Sequence, residues 1–118
     1  MPIVNILDIL KSAKEEGRGV GDFNVADLTQ IIAIKEVAEK KKYPLLMQTS
    51  VATASFYTLE LVVSIFKNIA EKGNIPVSLH LDHCRDIDFA MRCAEAGYNS
   101  IMVDFSKKPY KENFASVF

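Results

Sequence analysis

The chain has 118 residues, 49% hydrophobic and 25% charged, with a formal net charge of −1. That length allows one modest domain with a real core, and that charge excludes the basic field expected of a binder of nucleic acid or anionic membrane. Apolar runs such as Leu61-Val62-Val63 break within a few residues, far short of the roughly 20 that a membrane span needs. No charged stretch precedes an apolar block at the N-terminus, and Asp8 falls where that block would be, so no signal peptide is expected. Two cysteines, Cys84 and Cys93, fit a reduced, cytoplasmic protein better than a disulfide framework.

In chain order, Ile6, Leu7, Ile9, Leu10 and Ala13 carry helical spacing, with Asn5 as N-cap and Gly17 as the stop. Residues 19–24 read as a short strand. Leu28, Ile31, Ile32, Val37 and Ala38 make a second helix that ends in Lys40-Lys41-Lys42, a solvated helix end too short for a nucleic-acid patch. Residues 44–48 are an apolar strand of the type buried on both faces. Leu59, Val62, Val63, Phe66 and Ala70 make a third helix closed by Gly73, and residues 75–81 a third strand. Asp86 caps a helix through Ile87, Ala90, Cys93 and Ala94 that Gly97 closes; residues 99–103 form a fourth strand, and Pro109 opens a last helix. Strands alternating with helices predict a parallel α/β sheet, either part of a barrel or doubly wound.

Each predicted strand runs into polar residues. The first ends at Asn24, the second at Gln48, Thr49 and Ser50, the third at Asp82 and His83, the fourth at Asp104 and Ser106. The carboxyl ends of parallel strands share one face, where ligands bind. A purely structural domain has little reason to deliver polar groups there four times.

The densest of these ends is His80-Leu81-Asp82-His83-Cys84. Strand alternation puts His80 and Asp82 on one face and Leu81 and His83 on the other, and a turn of the backbone at the strand end could bring them to one space. Neutral imidazole is a common zinc ligand, but zinc takes three or four ligands, so others must come from elsewhere. Asp82 beside such a site could serve as general acid or base. The structural readings are a hydrogen-bonded core histidine at His80 and a small zinc cluster of His80, His83 and Cys84. Asp104 could equally brace the loop after its strand.

The stretches VGDFN (20–24), PLLMQTS (44–50), IPVSLHLDHC (75–84), AGYNSIMVD (96–104) and PYKEN (109–113) resemble, in order, the class II metal-dependent fructose-bisphosphate aldolases, which include the tagatose-bisphosphate aldolases. The sequence departs from the pattern at Asp22, Val51, Cys84 and Phe105. The resemblance implies a (β/α)₈ barrel that cleaves fructose 1,6-bisphosphate to dihydroxyacetone phosphate and glyceraldehyde 3-phosphate, in glycolysis and gluconeogenesis, with Zn²⁺. By the same resemblance His83 is the first zinc ligand and Asp82 the acid/base. Asn24 and Ser50 contact substrate. Asp104 belongs to the metal site, linked in some members to a second mono- or divalent cation. The remaining ligands, two histidines and a glutamate, and the glycine-rich phosphate loops lie on later strands.

A full barrel needs about 250 residues. Residues 1–118 are therefore expected to be a single partial domain, the N-terminal part of a barrel with about four parallel strands, truncated within the fourth helix. Alone it is expected to be inactive, and to associate with itself or with the missing half of the barrel. The expected partner is a sugar bisphosphate, with no nucleic acid and no membrane. The alternatives are a tagatose-bisphosphate aldolase and a non-catalytic half-barrel binding module.

Overall fold

A computed structural model describes residues 3–117. In chain order these form α1 (Ile6–Glu15), β1 (Asp22–Asn24), α2 (Leu28–Lys41), β2 (Leu45–Ser50), α3 (Val51–Tyr57), α4 (Leu59–Lys72), β3 (Val77–Cys84), α5 (Ile87–Ala96), β4 (Ser100–Val103) and α6 (Tyr110–Val117). The four strands make one sheet in the order β1-β2-β3-β4, every pair parallel. Among the described residues no helix is long and apolar enough to cross a membrane.

The helix starts follow from short polar side chains that satisfy orphan N–H groups. Asn5 accepts from the Leu7 N–H at 2.9 Å, Asp27 from the Gln30 N–H at 2.9 Å, and Asp86 from the Phe89 N–H at 3.1 Å. After α5 the chain turns at Gly97 with φ 121°, where a Cβ would meet Val63 at 3.2 Å. Glycine there meets both the backbone and the packing demand.

β1 is shorter than residues 19–24 because the ladder that pairs Asp22 with Leu46 would pair Val20 with Pro44, which has no N–H to donate. β2 and β3 instead run further than the periodicity indicates, to Ser50 and Cys84, so their polar ends remain in the sheet. Helix α3 is an addition. Its sequence, Val-Ala-Thr-Ala-Ser-Phe-Tyr, mixes β-branched, small and aromatic residues without an apolar stripe; its start is fixed by Ser50, which accepts from the Thr53 N–H at 3.1 Å.

The core lies between the sheet and the helices. Leu45 and Met47 of β2 and Val77, Leu79 and Leu81 of β3 are buried with Val62, Val63, Phe66, Ile69 and Ala70 of α4 and with Ala90 and Cys93 of α5. Gln48, Ser50, His80 and Asp82, which alternate with these along β2 and β3, are half-buried and take the opposite, inner face of the sheet. The core has one polar clasp: the Thr49 and Tyr98 hydroxyls lie 2.8 Å apart, both buried.

Burial pushes the Tyr98 phenol up to about 12, against the lowering effect of its bond to Thr49. A group whose folded pKa is raised favours the native state below its ordinary pKa of 10.0 and loses that contribution as pH rises toward 12. Unfolding free energies from urea titrations are therefore expected to fall across that alkaline window, by roughly 2–3 kcal/mol in all. Tyr98→Phe should remove this pH dependence. At neutral pH it should cost about 1–2 kcal/mol, because the buried Thr49 hydroxyl loses its partner.

Candidate active site at the carboxyl ends of the strands

The ladder register lines the inner face in rows. Asn24 is level with Gln48, Gln48 with His80, and His80 with Ser100; one step further along, Ser50 is level with Asp82. Asn24, Ser50 and Asp82 thus share the face that strand alternation assigns them. Ser50 carries a second duty as the cap of α3, its hydroxyl 3.1 Å from that of Thr53.

His83 departs from simple alternation. Leu81 is fully buried on the helix side, yet the side chain of His83 is 57% exposed. The cause is an irregularity in the β3–β4 ladder between Leu81 and Cys84, with His83 at φ 47°. A left-handed conformation is uncommon outside glycine and tends to mark functional sites. It swings the ring out of the helix layer and places it between two carboxylates. His83 Nδ1 lies 2.8 Å from Asp104 Oδ2, and Nε2 lies 3.5 Å from Asp82 Oδ1.

Asp104 follows β4 directly and is buried. Its backbone N–H donates to the Cys84 carbonyl at 2.7 Å, which ties the two strand ends together. Its Oδ1 accepts from the Ser106 hydroxyl at 2.6 Å and the Ser106 N–H at 3.1 Å, while an Arg85 guanidinium nitrogen stands 3.8 Å from Oδ2. The Ser106 hydroxyl first, and then His83, hold this carboxyl well below the usual carboxylate range. A permanent anion beside Nδ1 orients the ring and leaves Nε2 to face the open site.

His80 does not join this group. Its Nδ1 lies 2.7 Å from the Ser100 hydroxyl, so it is hydrogen-bonded, but on the half-buried inner face and not in the core. The Cys84 thiol is buried and donates to the Asp86 carbonyl at 3.1 Å. The cluster of His80, His83 and Cys84 is therefore not assembled, and among the described residues no three histidine, cysteine or acidic side chains gather as a metal cage. The donor chemistry of His83 nevertheless fits a metal ligand. Ligating histidines commonly give their second nitrogen to a carboxylate, as His83 gives its own to Asp104. Zinc takes three or four protein ligands, of which this arrangement offers Nε2 of His83 as one. Sequence reasoning missed Ser100 and Arg85, which carry no motif and enter only through the pairing of β3 with β4.

Parallel strands in sequential order, helices packed on one face and polar side chains collected at the carboxyl ends define this chain as part of a β/α barrel. Residues 4–117 match the family model for class-II fructose-bisphosphate aldolase, and the chain belongs to that family. It is 40% identical to a fructose-bisphosphate aldolase of Streptococcus pyogenes serotype M1, over 98% of this chain and 40% of that one. It is 34% identical to a probable fructose-bisphosphate aldolase of Bacillus subtilis, over 98% of this chain and 42% of that one. The crystal structure of a putative fructose-1,6-biphosphate aldolase from Coccidioides immitis superposes with a TM-score of 0.85 at 28% identity, over 92% of this chain and 43% of that one. The chain thus spans about two fifths of the length of the curated relatives it matches.

Proposed function

We propose that this chain supplies the first half of a class II aldolase site, for the zinc-dependent, reversible cleavage of fructose 1,6-bisphosphate to dihydroxyacetone phosphate and glyceraldehyde 3-phosphate, a cytoplasmic step of glycolysis and gluconeogenesis. The observation that carries the reading is the Asp82–His83–Asp104 constellation at the carboxyl ends of β3 and β4. Nε2 of His83 would hold the zinc, with Asp104 fixing the ring. A zinc held there would supply Lewis acidity at the substrate carbonyl. Asp82 takes the proton of the C4 hydroxyl as the C3–C4 bond breaks, and returns it in the synthetic direction. Asn24 and Ser50, on the same face, orient the sugar by hydrogen bonds. A second cation at Asp104 would have to compete with Ser106 and Arg85, which already engage its carboxylate.

The remaining ligands and the phosphate loops belong to the rest of the barrel, so the 118-residue chain alone is inactive. In the described sheet β1 and β4 each pair on one side only, and such edges associate. The test is a coupled assay of fructose 1,6-bisphosphate cleavage, with zinc and with EDTA. It compares the chain alone with the chain joined to the complementary C-terminal portion of the Streptococcus pyogenes relative. Turnover is expected only in the joined protein and only with zinc. Turnover by the chain alone would remove the half-site reading, and a folded hybrid without turnover would remove the aldolase reading.

A further inference from the structure

The inner face of the sheet carries a carboxylate that this reaction leaves unused. The ladders set Asp22 level with Leu46 and Leu46 level with Ser78, so Asp22, Ser78, His80 and Asp82 all take the inner face. In a (β/α)₈ barrel the register shears by about one residue per strand, and alternate strands fill one interior layer. Asp22 on β1 therefore stands across from His80 on β3, a layer beneath Asp82. The electrostatics agree: burial pushes the Asp22 carboxyl upward, attraction to His80 is the strongest influence against that, and repulsion from Asp82 adds a smaller upward push.

The other side of the His80 ring is already fixed, with Nδ1 2.7 Å from the hydroxyl of Ser100, its level partner on β4. Nearby on the same face of β3, the Ser78 hydroxyl is fully buried and has no partner among the described residues. Barrel interiors are ordinarily filled by bulky branched apolar side chains. A polar layer beneath the site therefore needs a cause.

We infer that Asp22 is a positioning residue: it takes the Nε2–H of His80 through one bridging water, while Nδ1 of His80 accepts the Ser100 hydroxyl. The Asp22–His80–Ser100 chain then locks the imidazole in one tautomer and one orientation as the floor under Asp82. Only the role of Asp82 above that floor rests on the proposed aldolase function.

The sequence has two histidines, so their ring nitrogens can be resolved in ¹⁵N-labelled protein and assigned with His83→Ala. At alkaline pH, where imidazoles are neutral, long-range proton–nitrogen spectra of the 118-residue chain should show His80 protonated at Nε2 alone. Asp22→Ala should move its two nitrogen shifts toward a common averaged value. Asp22→Asn, which keeps an acceptor, should retain most of the separation, and the His83 signals should stay in place in both variants. An unchanged His80 pattern in Asp22→Ala, or a proton on Nδ1 in the unmodified chain, would overturn the assignment. If Asp22→Ala fails to fold by circular dichroism, Ser100→Ala decides instead. Nε2 protonation should survive it if Asp22 sets the tautomer, and a switch to Nδ1 would show that Ser100 alone had done so. Neither readout depends on aldol cleavage.

Discussion

Asp82→Ala, made in a barrel completed by the C-terminal strands of a relative, is expected to lower kcat for fructose 1,6-bisphosphate cleavage by about 10²–10⁴-fold, the range typical for loss of a positioned general acid/base. The expectation rests on placement. Asp82 is half-buried on the inner face of β3, level with Ser50 and 3.5 Å from the Nε2 edge of His83. Asp104, the other carboxylate beside His83, is not free for that proton, since its oxygens are engaged by Ser106 and His83. KM should change much less than kcat, because the lost interaction strengthens as the bond breaks. Asp82→Asn keeps the shape but cannot take the proton, so it should fall with Asp82→Ala. A rate within a factor of a few of the parent would remove Asp82 from the mechanism.

Phe66→Ala carries the largest expected effect on stability, about 3–5 kcal/mol. Phe66 is 0% exposed and lies on the face of α4 that presents Val62, Val63, Ile69 and Ala70 to β2 and β3. Removing the ring forfeits its transfer free energy and leaves a cavity that two rigid layers cannot close. A domain of this size has about 5–15 kcal/mol in total, so the variant should unfold at a markedly lower urea midpoint. Leu61→Ala on the same helix is the control. Leu61 is 48% exposed, and its loss should cost well under half as much. Equal costs would mean that α4 packs by a different face.

Much of this architecture is legible in the sequence because its elements carry the two periodicities strongly. Val62, Val63, Phe66 and Ala70 announce α4, and Asp86 with Gly97 brackets α5. The strand ends are legible for the same reason: apolar strands that stop at Asn24, Ser50, Asp82 and Asp104 point to the carboxyl face whatever the exact fold. Helix α3 escapes because its residues neither favour a helix nor form a stripe, and tertiary context with a Ser50 cap decides the matter. The orientation of His83 escapes for a different reason. Alternation presumes a regular ladder, and no glycine marks the left-handed residue where this ladder breaks. Its bond to Asp104 joins residues 21 apart, through the docking of β4 on β3, and nothing local in either segment encodes that distance.

The central claim is that His83, steadied by Asp104, is one of the ligands of a catalytic zinc completed elsewhere in the barrel. Its most direct test is the zinc affinity of the completed barrel, measured by competition with a chromogenic chelator, for the parent and for His83→Ala and Asp104→Asn. With one of its protein ligands gone, His83→Ala should weaken zinc binding the most. Asp104→Asn should weaken it by about 10–100-fold, as removal of an orienting carboxylate does. Unchanged affinity in a folded His83→Ala barrel would contradict the account and move the metal away from the carboxyl end of β3.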